Sequence, residues 1–440
     1  MRNSLKICAT LIWFLPSYTA LADSDPLTFR GWLQWLNVVE LTTVNTEASI
    51  NPENQILRIP NRTMVSLFRP NLKVTASNVQ FVVRPRVIYR SDTIKVNDHE
   101  GIAKSTTLSY LNDAFMQWTV SDSVSMAYGI QCYQWGAAET LSPSNRLFHD
   151  IASNRNVRYE VRGKNLARLN FSLGKEFSAV VMADMKEDKD APLFSADTPW
   201  TPTVVAKGEY SWSGGSDYFG LVVGGQGNGF PWVGEYFSVG MPFFDGISLF
   251  GDASQQRGAD VWYPVAKLQQ TPVGPGQQVI FEKTEKASKR IYNLAVVGLK
   301  YDFVNGAILR GEYIYNEAGY TQSQRDLALA GLSPASPLQQ SVLGENLRRF
   351  FSPNLDVPGQ RYAYASIHVP DFISLTDFIL GARTVYSLTD HSSSSYLSFD
   401  YKVNDGGTLI VAVGGGAGKK DGELKGYSAP TEYLAYRHDW

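Results

Sequence analysis

Past residue 22 the chain has no run of about twenty apolar residues, the length a helix needs to cross a bilayer, which excludes a polytopic helical membrane protein. Cysteine is nearly missing. There are two, Cys8 and Cys132, and because Cys8 lies in the N-terminal apolar segment, no intramolecular disulfide is expected in the mature chain. Histidine is scarce, and no group of His, Cys, Asp and Glu has metal-ligand spacing. Charged residues make up 19% of the chain, below the usual quarter, and the formal net charge of -2 offers no basic surface for nucleic acid. Helical periodicity is also missing beyond the N-terminus.

The first 22 residues read as a secretory signal. Arg2 and Lys6 form a positive n-region, "ICATLIWFL" an apolar core, and Ala20-Leu21-Ala22 a small-x-small cleavage site, so the mature chain is expected to begin at Asp23. The remaining residues, 23–440, carry about 18 segments of period-two alternation (16–18 as bounds), among them "NLARLNFSLG", "TVVAKGEYSW", "AILRGEYIYN" and "GTLIVAVGG". Their connectors alternate. Short links such as "TASN", "GKE", "SGGSD", "VNG" and "NDGG" are followed by long polar ones at 91–104, 137–163, 187–201, 255–289 and 319–360. A transmembrane antiparallel up-and-down β-barrel has this asymmetry, with tight periplasmic turns and extended extracellular loops.

Face by face, charge segregates. Ala167, Leu169, Phe171 and Leu173 oppose Arg168, Asn170 and Ser172, and Leu309, Tyr313 and Tyr315 oppose Arg310, Glu312 and Asn316. Such alternation suits an apolar face toward lipid and a polar one toward a lumen. The stretch "FVVRPRVIYR" then places Arg84, Arg86 and Arg90 inside. Pro85, with Pro70 in "FRPNLKV", implies local bulges, because a closed barrel has no free edge for a residue without an N-H.

The chain ends "TEYLAYRHDW", with Leu434, Tyr436, His438 and the terminal Trp440 on one face. This resembles the C-terminal strand of Gram-negative outer-membrane β-barrel proteins, except that His438 stands where that pattern prefers Tyr. The resemblance implies insertion by the barrel-insertion machinery after escort by periplasmic chaperones, with Leu434, Tyr436 and Trp440 as the insertion signal and outer-membrane lipid as the surroundings.

The basic residues on the inward faces of the closing and opening strands are Arg30, Arg69, Lys73, Arg84, Arg86, Arg90 and Arg437, which are expected to form one electropositive pore-lining patch that favours anions. The segment from "GAAETLSPSN" onward resembles the third loop of general porins, which folds inward and narrows the barrel. Ser142 and Pro143 suit the start of a short helix over "PSNRLFHDIA", and Glu139 and Asp150 are expected to face the arginines across the constriction. These features indicate a porin-like channel for passive diffusion of small hydrophilic, preferentially anionic solutes. One alternative is an exporter of an acidic polysaccharide, similar to alginate-export barrels, and another is a surface-binding barrel without an open pore. No enzyme and no cofactor is expected. His391 beside Ser392–Ser395 is the one hydrolytic candidate, and "GGQGNG" and "GGGAGKK" lack the strand-loop-helix order of a phosphate site.

Overall fold

A computed structural model describes residues 27–440 apart from 49–50, 97–98, 149–155, 186–201, 227–230, 260, 272–273, 284–289, 334–336, 351–356, 373–374, 376 and 426–427. The proposed signal, residues 1–22, and Asp150 lie outside the described residues. The first half of the chain forms β1 (Thr28–Val44), β2 (Arg62–Ala76), β3 (Val79–Val96), β4 (His99–Ser121), β5 (Val124–Gln131), β6 (Lys164–Leu173), β7 (Phe177–Asp184), β8 (Thr203–Trp212), β9 (Asp217–Gln226) and β10 (Trp232–Gly240). The second half forms β11 (Ile247–Arg257), β12 (Trp262–Thr271), β13 (Gly274–Lys283), β14 (Ile291–Asp302), β15 (Ile308–Asn316), β16 (Arg361–Val369), β17 (Phe378–Ser387), β18 (Ser393–Lys402), β19 (Gly407–Ala417) and β20 (Ser428–Asp439).

Each barrel strand pairs antiparallel with its neighbours, β11 passes directly to β14, and β20 pairs with β1 from Gln34 opposite Asp439 to Val44 opposite Ser428. The result is a closed ring of 18 strands with β12 and β13 as a separate hairpin above it. Closure pairs the backbone groups that an open sheet edge would leave bare, which is the condition for standing in lipid. The apolar faces point outward: Leu221, Val297, Leu299, Val411 and Leu434 are all exposed. A soluble protein of this size would bury such a belt. Aromatics mark its turn-side rim, with Trp118 and Tyr210 exposed and Phe378 stacked on Tyr401 at 4.5 Å.

Both prolines sit where the ladder gives way. Opposite Pro85 the β3–β4 register shifts, leaving Asn112 as the extra residue between Asp113 and Leu111. Around Pro70 the β2–β3 pairing lapses from Phe68 opposite Val87 to Leu72 opposite Val83. The idle carbonyls are not wasted: Arg86 Nη1 donates to Pro70 O at 3.1 Å and to Pro85 O at 2.9 Å, and Asn71 Nδ2 donates to Arg69 O at 3.0 Å.

Four connectors differ from expectation, the first being 255–289, which holds the β12–β13 hairpin. Much of 91–104 is strand, because β3 and β4 run on as a tall hairpin to Val96 and His99. The 319–360 segment is partly helical, with α1 (Gln322–Gly331), α2 (Pro337–Gln340) and α3 (Leu343–Phe350). Thr321 and Gln324 form a reciprocal capping box at the start of α1, and Ala328 and Leu332 pack with Phe281 of β13 and Phe350 of α3. A helix this short has too few turns for periodicity to stand out. Finally, residues 143–148 are turns rather than the first turns of a helix. Ser142 does not cap, since its hydroxyl is turned to Asp252 and Trp135 O instead of to a helix N-terminus.

Candidate channel and its inserted loop

The loop joining β5 to β6, residues 132–163, is drawn into the barrel by buried wall carboxylates on one side and arginines on the other. Asp252 on β11 accepts from Ser144 N at 2.7 Å and from the Ser142 hydroxyl at 2.5 Å. Glu312 on β15 accepts from Glu139 N at 2.6 Å, from Thr140 N at 3.0 Å and from the Thr140 hydroxyl. Arg310 adds a bond from Nη1 to Ala137 O at 2.7 Å. A carboxylate with two or three N-H and O-H donors is satisfied without water, so these anchors hold the loop against the wall.

Around the ring at β1 to β3, the same loop is held by charge. Arg86 Nε donates to Glu160 at 2.8 Å, and Arg69 Nε lies 3.6 Å from the same carboxylate. Arg69 also donates to Arg158 O at 2.8 Å and to the Gln34 side chain at 2.9 Å, and Arg158 pairs with Glu40 at 2.5 Å. Arg162 stacks over Tyr110 at 4.1 Å. Apolar side chains of the loop fill the spaces between these anchors. Leu147, Phe148 and Trp135 pack with inward residues of β6 to β10. Leu141 joins a patch with Leu294, Val296 and Ile314, and Val157 covers Leu36, Val38, Val65 and Leu67. The apolar stretches of the inner wall are therefore the loop's packing surface.

The alternation of β1, β2, β3 and β20 puts all seven expected basic residues on the inner face, but they do not share one environment. Arg69 and Arg86 are only 8% and 3% exposed and belong to the loop's anchorage. Arg84 remains half exposed with Asp113 3.2 Å away, and Arg90 sits 2.8 Å from Asp92 on its own strand. Arg30 and Lys73 are exposed cross-strand neighbours toward the turn-side mouth. Arg437 pairs with Asp439 at 3.2 Å.

The expected constriction acid is displaced. Glu139 faces β15 and β16, 3.6 Å from Arg310 and hydrogen-bonded to Ser366 at 2.9 Å, and it is Glu160 that meets the arginines. The reason is connectivity. The loop visits β11 and β15 before it returns to β1–β3, so its early acid meets one wall and its late acid meets the other. Sequence reasoning missed Glu160, Asp252 and Glu312. For the last two a signal existed: each is an acid on an inward face with an apolar side chain two residues away on one side, Phe250 for Asp252 and Ile314 for Glu312.

On β20, the strand of the expected insertion signal, Leu434 and Trp440 are exposed on the outer face with Tyr436 between them. The hydrolytic candidate does not assemble. His391 Nδ1 faces Tyr386 Oη at 3.1 Å, while the Ser392 hydroxyl donates to Asp390 at 2.6 Å and accepts from Leu424 N at 2.9 Å. Among the described residues no cluster of His, Cys, Asp and Glu could hold a metal ion.

A closed barrel of 18 antiparallel strands, with short turns at one end, long loops at the other and a third loop folded into its lumen, has the architecture of an outer-membrane porin. No protein-family model and no curated protein matches the sequence. Solved structures do match. Pseudomonas aeruginosa OccK5 (OpdH) superposes with a TM-score of 0.55 at 10% identity over 93% of this chain and 97% of that one. OccK2 (OpdF) of the same organism, in complex with glucuronate, gives 0.51 at 10% identity over 93% and 97%. P. aeruginosa OpdK with vanillate gives 0.52 at 7% identity over 94% and 98%. At such identities the likeness is one of fold.

Proposed function

We propose that the protein is a passive diffusion channel of the bacterial outer membrane, selective for small solutes that carry a carboxylate. The observation that carries this reading is the inserted loop beside a basic arc. Arg437, Arg30, Lys73 and Arg84 follow one another on β20, β1, β2 and β3, facing the lumen and partly or fully exposed. A low-dielectric wall focuses the field of such an arc and raises the local anion concentration. Glucuronate and vanillate, held by two structural neighbours, are both carboxylates. A loop anchored on both sides narrows the path, which favours this reading over export of an acidic polymer and over a barrel that only displays its loops. Delivery by periplasmic chaperones and insertion by the barrel-insertion machinery complete the proposal, with the outer face of β20 as the signal.

Reversal potential in planar bilayers under a salt gradient tests it. The variant Arg30→Gln, Lys73→Gln, Arg84→Gln removes three exposed charges and leaves the loop's anchors intact, so it should insert normally and shift selectivity toward cations. The shift should be largest at low salt, where screening reaches about 30 Å at 0.01 M. An unchanged reversal potential in a conducting variant would place the ion path elsewhere.

A further inference from the structure

The outer wall carries a feature that diffusion does not use. Across β16 to β20 the outward side chains shrink to Ala365, Ala382, Thr384, Ser395 and Gly415, with the larger Leu309, Ile367, Leu397 and Val413 lining the turn-side edge. The result is a groove of about 520 Å³, within the range of small-ligand clefts, about 300–1,000 Å³. Its one conspicuous polar contact, Thr384 Oγ1 to Ser395 Oγ at 3.0 Å, is closed on itself. A groove in the hydrocarbon belt holds no water, so an apolar chain is its natural occupant.

The loop-side end of the groove supplies a headgroup contact. Arg361, Ala363, Ala365 and Ile367 share the outward face of β16, and Ala365 and Ile367 line the groove. Arg361 is exposed and lies four residues above Ala365, about 13 Å along the strand at roughly 3.3 Å per residue. Among the described residues no carboxylate forms an ion pair with it. A guanidinium facing outward at the rim of a lipid belt is suited to bidentate contact with a phosphate. The rim with the long loops faces the outer leaflet, whose lipids in a Gram-negative outer membrane are phosphorylated, multiply acylated glycolipids.

Resting on the outer-membrane reading above, we propose that this groove seats one acyl chain of an outer-leaflet phosphoglycolipid while Arg361 holds its phosphate. The site would fix one lipid against β16–β20 and leave the lumen untouched.

The test uses the full barrel in detergent, incubated with bisphosphorylated lipid A and followed by native mass spectrometry. Heat-modifiable migration and planar-bilayer conductance of every variant first establish that each is a folded membrane barrel, so failure of that reading shows separately. Wild type should retain one lipid A. Ala365→Phe with Ala382→Phe fills the groove with apolar bulk and should retain it about tenfold less, whereas Ala253→Phe on the outer face of β11 should retain it as wild type does. Arg361→Gln should lose affinity for bisphosphorylated lipid A but match wild type with lipid A stripped of phosphate. The proposal is overturned if a conducting wild type retains no lipid, if the filled groove retains it undiminished, if Ala253→Phe loses it equally, if Arg361→Gln binds the phosphorylated lipid as wild type does, or if the bound species is a second copy of the chain.

Discussion

Glu160 ties the late part of the inserted loop to the β2–β3 wall. Its single charge is shared by two nearly buried guanidiniums, Arg69 and Arg86, that otherwise stand in a wall with little water. Breaking such a pair by removing one partner typically costs about 3–5 kcal/mol, more than an exposed pair could. Part of that cost is relieved here because Glu160 keeps some solvent contact. Glu160→Gln is therefore expected to loosen the β1–β3 side of the inserted loop while Asp252 and Glu312 hold the other side. Single-channel recording should show a larger or noisier conductance with stronger anion preference, since one negative charge is removed beside two guanidiniums. A conductance and reversal potential equal to wild type would mean that Glu160 does not govern the loop. Arg84 is a useful contrast, because its half-exposed guanidinium pairs with Asp113 on the neighbouring strand rather than with Glu160 of the loop.

Among the elements outside the membrane, α1 and the two loops that follow β17 and β19 are tied by one buried charge cluster. Arg325 of α1 lies 3.0 Å from Asp390 and 3.7 Å from Glu423, and it donates to Asp421 O at 2.8 Å. Tyr362, at the start of β16, is hydrogen-bonded to Glu423. One guanidinium cannot serve two buried carboxylates, and burial pushes the Glu423 carboxyl up to about 7 despite Arg325 and Tyr362. Asp390 is also opposed by burial, but hydrogen bonds from Ser392 and Glu423 N, together with Arg325, hold it below the usual range. The sign follows from proton binding: the folded cluster keeps a proton on Glu423 that the open loops release near pH 4.3. The Glu423 contribution is full below that pH and falls as pH rises through about 7, whereas the Asp390 contribution is lost only in acid. Hydrogen exchange, corrected for intrinsic rate, should show the amides of α1 and of the 388–392 and 418–425 segments less protected at pH 8.5 than at pH 6. Glu423→Gln should flatten that difference, and identical protection at both pH values in wild type would disprove it.

For the whole molecule the decisive contact is closure of the ring. Trp440 and Leu33 exchange backbone hydrogen bonds, Trp440 N to Leu33 O at 2.9 Å and Leu33 N to Trp440 O at 3.2 Å, at the seam between last and first strands. Deleting Trp440 removes both bonds and an exposed aromatic at the turn-side rim. Leu434→Arg instead places a charge on the lipid face, at a cost of about 2–4 kcal/mol if it lies near the bilayer midplane and less toward the rim. Both variants should leave little heat-modifiable barrel in outer-membrane fractions, and normal yields of both would argue that this strand is not the insertion signal.

The wall was legible in the sequence and the lumen was not. Period-two alternation, charges gathered mostly on one face and connectors of alternating length determine a closed barrel of about 18 strands, because a strand in lipid must hide its polar groups every second residue. The same rule placed Arg30, Arg69, Lys73, Arg84, Arg86, Arg90 and Arg437 on the inner face. It does not say which of them would remain exposed, because that depends on where a loop of more than thirty residues comes to rest. Inward apolar residues such as Leu36, Val38 and Leu166 conflict with a purely polar lumen until Val157 and the Trp135–Phe148 segment are seen covering them. Only the tertiary structure assigns Glu160 to the arginines and Glu139 to Arg310. Alternation is a local constraint that each strand carries in itself, whereas the partners of a loop inside a barrel are contacts between residues as far apart as 139 and 312, chosen by the closed shape that encloses them.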